Sequence, residues 1–205
     1  MDRMIASSKD FNKSDLIKLR EMTSAGMTDC KQALVEAKGD LKQAQEILRR
    51  KGLDIAKKKS LREAKEGQIV SYIHTGAKLG VLIEINCETD FVAKNSLFQT
   101  FARDIAMQVA AAHPLYVKAE DIPAADLERE RANFLEEVKG KPKDVQEKIV
   151  QGKLAKRFED ICLLNQRFIK DDSRTVQDYL TETIAKVGEN IVIRRFVRFE
   201  VGGSI

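Results

Sequence analysis

His74, Cys87 and Asp90 are of the types that carry covalent chemistry, as base, nucleophile and orienting carboxylate. Their surroundings argue against it. No nucleophile motif brackets Cys87, and it falls on the apolar face of a predicted strand, where a thiol is packing material. His74 fits a strand face equally well. The chain has two histidines, His74 and His113, and three cysteines, Cys30, Cys87 and Cys162, far apart and without a C-x-x-C. Neither a zinc site nor a disulfide framework is expected. The prediction is a non-enzyme with no catalytic residues, no bound metal and no cofactor. What remains is a side chain on display. Cys87-Glu88-Thr89-Asp90-Phe91-Val92-Ala93-Lys94-Asn95 is a polar corner with one large aromatic, Phe91, beside one carboxylate, Asp90. A Phe in a corner needs a pocket, in its own core or in a partner. An isolated apolar loop residue is more often packing, so the pattern alone favours Phe91 plugging a strand–helix junction.

The flanking elements tether that corner. Ile69, Ser71 and Ile73 alternate with Val70, Tyr72 and His74 on the two faces of one strand. A turn with Gly76 and Gly80 leads to a returning strand, on which Val81, Ile83, Ile85 and Cys87 form an apolar face and Leu82, Glu84 and Asn86 face the other way. After the corner, Ser96-Leu97-Phe98-Gln99 matches a capping box. Phe98, Phe101, Ala102, Ile105 and Val109 then recur at helical spacing. A loop held by a strand and a capped helix presents a side chain at little entropic cost.

Upstream, residues 1–12 read as a loose tail. Residues 13–52 read as a three-helix domain: a helix capped by Ser14, a second ended by Gly39, and a third capped by Asp40 and ended by Gly52. Residues 53–66, rich in Lys, Ala and Glu, read as a linker, helical in part. Residues 67–205 form the core domain. Pro123 opens a helix to about residue 139, and another follows over residues 143–163 with a bend at Gly152. Residues 164–174 look irregular, and Thr175 caps a helix to about residue 187. In the last strand Ile191, Ile193, Val197, Phe199 and Val201 share a face interrupted by Arg195. The fold class is α+β: three N-terminal helices, then a three-stranded antiparallel sheet covered by helices.

In 205 residues the apolar content is 43% and the charged content 33%, with no apolar run of membrane-spanning length and no secretory leader pattern at the start. A cytoplasmic location without membrane contact is the expectation. The net charge of +4 is unevenly spread: residues 1–66 hold 16 Lys/Arg against 11 Asp/Glu, and the remainder is near neutral. The basic cluster is Arg49, Arg50 and Lys51 with Lys57, Lys58 and Lys59. An RNA- or ribosome-binding adaptor using this third is the alternative function. Base-stacking aromatics are not interleaved with it and no glycine-rich phosphate loop is present, so direct nucleic-acid binding is not expected.

Five ordered stretches resemble the elongation factor Ts family. They are Leu19-Arg20-Glu21-Met22-Thr23-Ser24-Ala25-Gly26-Met27-Thr28-Asp29-Cys30 with its continuation to Leu34, Asn86 to Asn95 around Thr89-Asp90-Phe91-Val92, Gly140-Lys141-Pro142, Leu163-Leu164-Asn165-Gln166, and Arg194-Arg195-Phe196-Val197-Arg198. The resemblance implies a ubiquitin-associated-like (UBA-like) N-terminal domain. It also implies exchange of guanine nucleotide on elongation factor Tu. Thr89, Asp90, Phe91 and Val92 would disturb the Mg²⁺ site of that partner; Arg20, Met27 and Lys31 would grip it, with His74 at a further contact. The length suits a short form with one core copy, which implies a homodimer. Thr28 stands where many members carry Met.

Overall fold

The computed structural model describes residues 11–23 and 25–203, so most of the expected tail lies outside the described residues. The chain separates into two compact units. One runs through Glu63 and includes Thr181–Asn190; the other comprises Ala64–Leu180 with the chain from Ile191 onward.

In the first unit lie α1 (Lys13–Thr23), α2 (Met27–Glu36) and α3 (Leu41–Lys59). Leu19, Cys30, Ala33, Leu34, Ala37 and Ala44 form its core, with Leu16, Leu41, Ile47 and Leu48 packed against them. Asn12, not Ser14, caps α1. Its Oδ1 accepts from the amide of Asp15 at 2.9 Å while its own amide donates to the Asp15 carboxylate at 3.2 Å. Asparagine with an acid three residues on makes this reciprocal pair, leaving Ser14 inside the helix. Asp40 caps α3 by accepting from Lys42 and Gln43. Gly39, at φ 86°, takes the left-handed conformation after α2. Gly52 does not end α3, which continues to Lys59. Glycine in a helix costs only about 1 kcal/mol, and Gly52, Ile55, Ala56 and Lys59, all half-buried, repeat at helical spacing to give this stretch a face to bury.

The second unit is built on β1 (Glu66–Ile73), β2 (Leu79–Cys87) and β5 (Ile191–Glu200), antiparallel throughout in the order β1-β2-β5. Between β2 and β5 in the chain come α4 (Asp90–Ala93), α5 (Ser96–Ala112), α6 (Ala124–Glu137), α7 (Lys143–Ile161), β3 (Arg167–Phe168), β4 (Asp171–Thr175) and α8 (Val176–Val187), whose residues from Thr181 belong to the first unit. Val81, Ile83, Ile85 and Cys87 on β2 and Phe98, Phe101, Ala102, Ile105 and Val109 on α5 are all buried, as their spacing predicts. Asn95 rather than Ser96 caps α5: its Oδ1 accepts from Leu97 at 2.8 Å. Thr175 caps α8 reciprocally with Asp178. α6 and α7 are joined by ion pairs between Arg131 and Glu147, Arg157 and Glu130, and Lys153 and Glu137. Gly152 sits within α7, a single uninterrupted helix.

Two expectations fail here for identifiable reasons. Residues 167–175, expected to be irregular, form the β3–β4 hairpin. These strands are short and polar, so alternation does not announce them. Buried side chains of α5 fasten them: Gln108 accepts from Ile169 and donates to the Arg167 carbonyl, and Asp104 accepts from Lys170 and Tyr179. In β5 the register slips by one. Glu84 faces Arg195 while Ile85 faces Ile193, leaving Arg194 as the extra residue of a β-bulge. Past the bulge the alternation inverts: Ile191 and Ile193 are buried, but Val197 and Phe199 lie on the opposite, exposed face instead of sharing theirs.

Candidate functional site

β2 ends at Cys87, which is paired with Glu66 on one side and Ile191 on the other. Its thiol donates to the carbonyl of Thr89 at 3.1 Å. Thr89 is extended (φ −132°, ψ 153°) and its Oγ1 accepts from the amide of Val92, so it caps the single turn of α4. The amide of Asn95 donates to the Val92 carbonyl, and Asn95 then caps α5. Two caps and one strand end hold the corner.

This turn decides where Phe91 goes. At about 100° per residue a helical turn sends neighbours in different directions. Val92 and Ala93 are buried, each 5% exposed, and Phe91 is 78% exposed. Val92 and Ala93 fill the junction; the expectation that Phe91 plugs it is overturned. Asp90 is also exposed and pairs with Lys94, Nζ to Oδ2 at 2.8 Å. The hydrogen bond and charge of Lys94 hold the Asp90 carboxyl below its ordinary value, so it is ionised. Lys94 was not anticipated from the sequence, although opposite charges four residues apart across a helical turn are its signal.

His74 is exposed just past β1, its Nδ1 3.0 Å from the Tyr72 hydroxyl. It is not brought to Cys87. Ile73 faces Gly80 while Glu66 faces Cys87, so His74 and Cys87 lie at opposite ends of the hairpin, roughly 25 Å apart by strand rise. The Cys87 thiol is buried and committed to a main-chain carbonyl. His74, Cys87 and Asp90 therefore do not form one constellation. Among the described residues no group of His, Cys, Asp and Glu is placed to hold a metal ion, and no helix is long and apolar enough to cross a membrane.

In the first unit Arg20, Met27 and Lys31 are all exposed. Met27 and Lys31 are four apart on α2, hence on one face. Lys31 lines a shallow depression with Thr28, Gln32, Val35 and Glu36. Val35 continues the same row, a repeat that sequence reading passed over. The basic cluster is partly neutralised: Arg49 and Arg50 both pair with Glu46, and Lys51 pairs with Asp29 at 2.6 Å. Hydrogen bonds from Arg49 and Arg50 lower the Glu46 carboxyl to about 2. That leaves less free positive charge for a polyanion than the composition suggests.

The family model described as "Elongation factor TS" matches residues 6–202. The chain is 59% identical over 197 residues to an elongation factor Ts from Carboxydothermus hydrogenoformans, covering 94% of this chain and 90% of the relative. It is 56% identical to one from Geotalea uraniireducens, covering 91% and 88%. To one from Thermoanaerobacter pseudethanolicus it is 55% identical, covering 91% and 93%.

Proposed function

The chain belongs to the elongation factor Ts family, and on that premise we propose that it is a guanine-nucleotide exchange factor for elongation factor Tu, acting in translation elongation in the cytoplasm. The observation that carries the proposal is the exposure of Phe91 on a doubly capped turn. A buried Phe could not reach a partner. An exposed one on a floppy loop would lose ordering entropy on docking.

Each residue of the corner has a separate task. Phe91 is the wedge, entering a pocket of the GTPase beside its nucleotide site. Asp90, ionised and adjacent, perturbs the polar groups that hold the partner's Mg²⁺. That ion demands near-octahedral coordination, so a small displacement weakens nucleotide retention. Thr89 fixes the turn by capping it, and Val92 anchors it from inside. Arg20, Met27 and Lys31 grip the GTPase from the N-terminal unit, a docking domain of UBA-like type, and His74 adds a contact from the core. No covalent step is required. By linkage, the factor weakens GDP binding by the same ratio as GDP weakens binding of the factor, and GTP entry then releases it.

The same proposal includes a second copy of the chain. Beyond the bulge, Phe199 is 65% exposed and lies across from Gly80, which pairs with Ile73, while Val197 lies across from Leu82. Ile69, Ile73, Leu82, Val197 and Phe199 are all exposed on that outer face, and such a contiguous apolar surface marks an interface. The Glu84–Arg195 pair on the same face, 2.7 Å apart, supplies both signs of charge to a self-complementary contact.

Stopped-flow release of a fluorescent GDP analogue from elongation factor Tu tests the exchange role. The wild type should accelerate release strongly. Phe91→Ala should lose about thirtyfold or more of that acceleration, as expected for an interface hot spot of about 2 kcal/mol. A folded wild type that leaves release unchanged would sink the proposal. Acceleration that survives both Phe91→Ala and Asp90→Ala would move its seat away from the corner.

A further inference from the structure

Asp90 is the first residue of α4 and Lys94 the residue just past its end, so the two side chains lie on one side of a single turn. Their charged atoms meet at 2.8 Å although both side chains are largely exposed. The charge of Glu66, at the start of β1, adds to that of Asp90 in favouring the protonated Lys94. Lys94 donates to Asp90.

We propose that Lys94 is a positioning residue for exchange: it clamps the Asp90 carboxylate beside the exposed Phe91 ring, so that both arrive at the GTPase already oriented. The proposal rests on the exchange role argued above. The pair adds little to folding, because exposed ion pairs of this kind contribute almost nothing to stability. Its effect falls on docking. A free Asp side chain would have to be ordered at the moment of contact, whereas the clamped one is ordered beforehand. The clamp also offsets the negative charge of the corner as it approaches a bound diphosphate.

The experiment compares the full-length wild type with Lys94→Gln, Lys94→Arg, Asp90→Ala and the Asp90→Ala/Lys94→Gln double variant. Two readouts are used: stopped-flow release of the GDP analogue from elongation factor Tu, and NMR scalar couplings reporting the Asp90 χ1 rotamer in the free protein. Lys94→Gln should lower the acceleration about twofold, the most by which an exposed ion pair of this kind can bias one rotamer, and should average the Asp90 rotamers. Lys94→Arg should retain both properties. In the Asp90→Ala background, Lys94→Gln should have no further effect on release. An unchanged Lys94→Gln, or an equal loss in the Asp90→Ala background, would overturn the positioning role and leave the exchange role intact. A wild type that fails to accelerate release overturns the exchange role, whatever the couplings show. Rotamers already averaged in the wild type overturn the clamp alone.

Discussion

Phe91 and Val92 are consecutive in the chain and point about 100° apart on one helical turn, the first 78% exposed and the second 5%. Stability and the proposed partner contact are therefore separable within two residues. Phe91→Ala should leave the free energy of unfolding within about 0.5 kcal/mol of wild type, since surface changes away from caps and pairs rarely do more. Val92→Ala should cost about 2 kcal/mol, for two buried methyl groups and the space they leave. Urea denaturation followed by circular dichroism checks both. A Phe91→Ala protein as destabilised as Val92→Ala would mean that the ring packs inward.

The bulge in β5 decides which side of the sheet carries Phe199. Deleting Arg194 removes the extra residue, so the rest of the strand must invert or lose its pairing with β2. The deletion should lower the melting temperature steeply or leave the protein insoluble. Arg194→Ala keeps the count and should melt within a few degrees of wild type. Equal melting of the two variants would show that the register does not depend on that residue.

The exposed outer face should hold two copies together. Sedimentation equilibrium should show a dimer for the wild type and a monomer for Phe199→Asp, which places a charge in the centre of that face. The monomeric variant should keep its circular dichroism spectrum, because Phe199 is not part of the core. A wild type that sediments as a monomer throughout would refute the dimer.

All three thiols are buried, and burial followed by the nearby Asp121 and Glu120 carboxylates pushes Cys162 up to about 11. The neutral thiol is the form the fold favours. Stability is thus fully present below the ordinary value of 9.0 and declines as pH rises above it, where the unfolded chain releases a proton that the folded protein keeps. Native protein at pH 8 should resist iodoacetamide at Cys162 and react only after denaturation. Mass spectrometry of the alkylated peptide reads this directly, and rapid native labelling would contradict it.

Local periodicity was enough to define the strongly patterned elements and the order in which they come. The inward row of β2, the apolar stripe of α5, the Asp40 and Thr175 caps and the left-handed Gly39 follow from side-chain period and local hydrogen bonding, which need only near neighbours. The corner and its candidate residues were legible in the same way, as a tethered loop with a Phe and an Asp. Three decisions needed the tertiary structure. Phe91 points out because Val92 and Ala93 compete with it for the same junction and one turn of helix seats only one side, a choice fixed by packing against the sheet. Phe199 faces outward because a bulge shifts register through pairing with β2, far away in sequence, and period-two alternation within β5 cannot reveal a slip. The β3–β4 hairpin exists because Gln108 and Asp104, buried on α5, supply the partners that its short polar strands lack on their own.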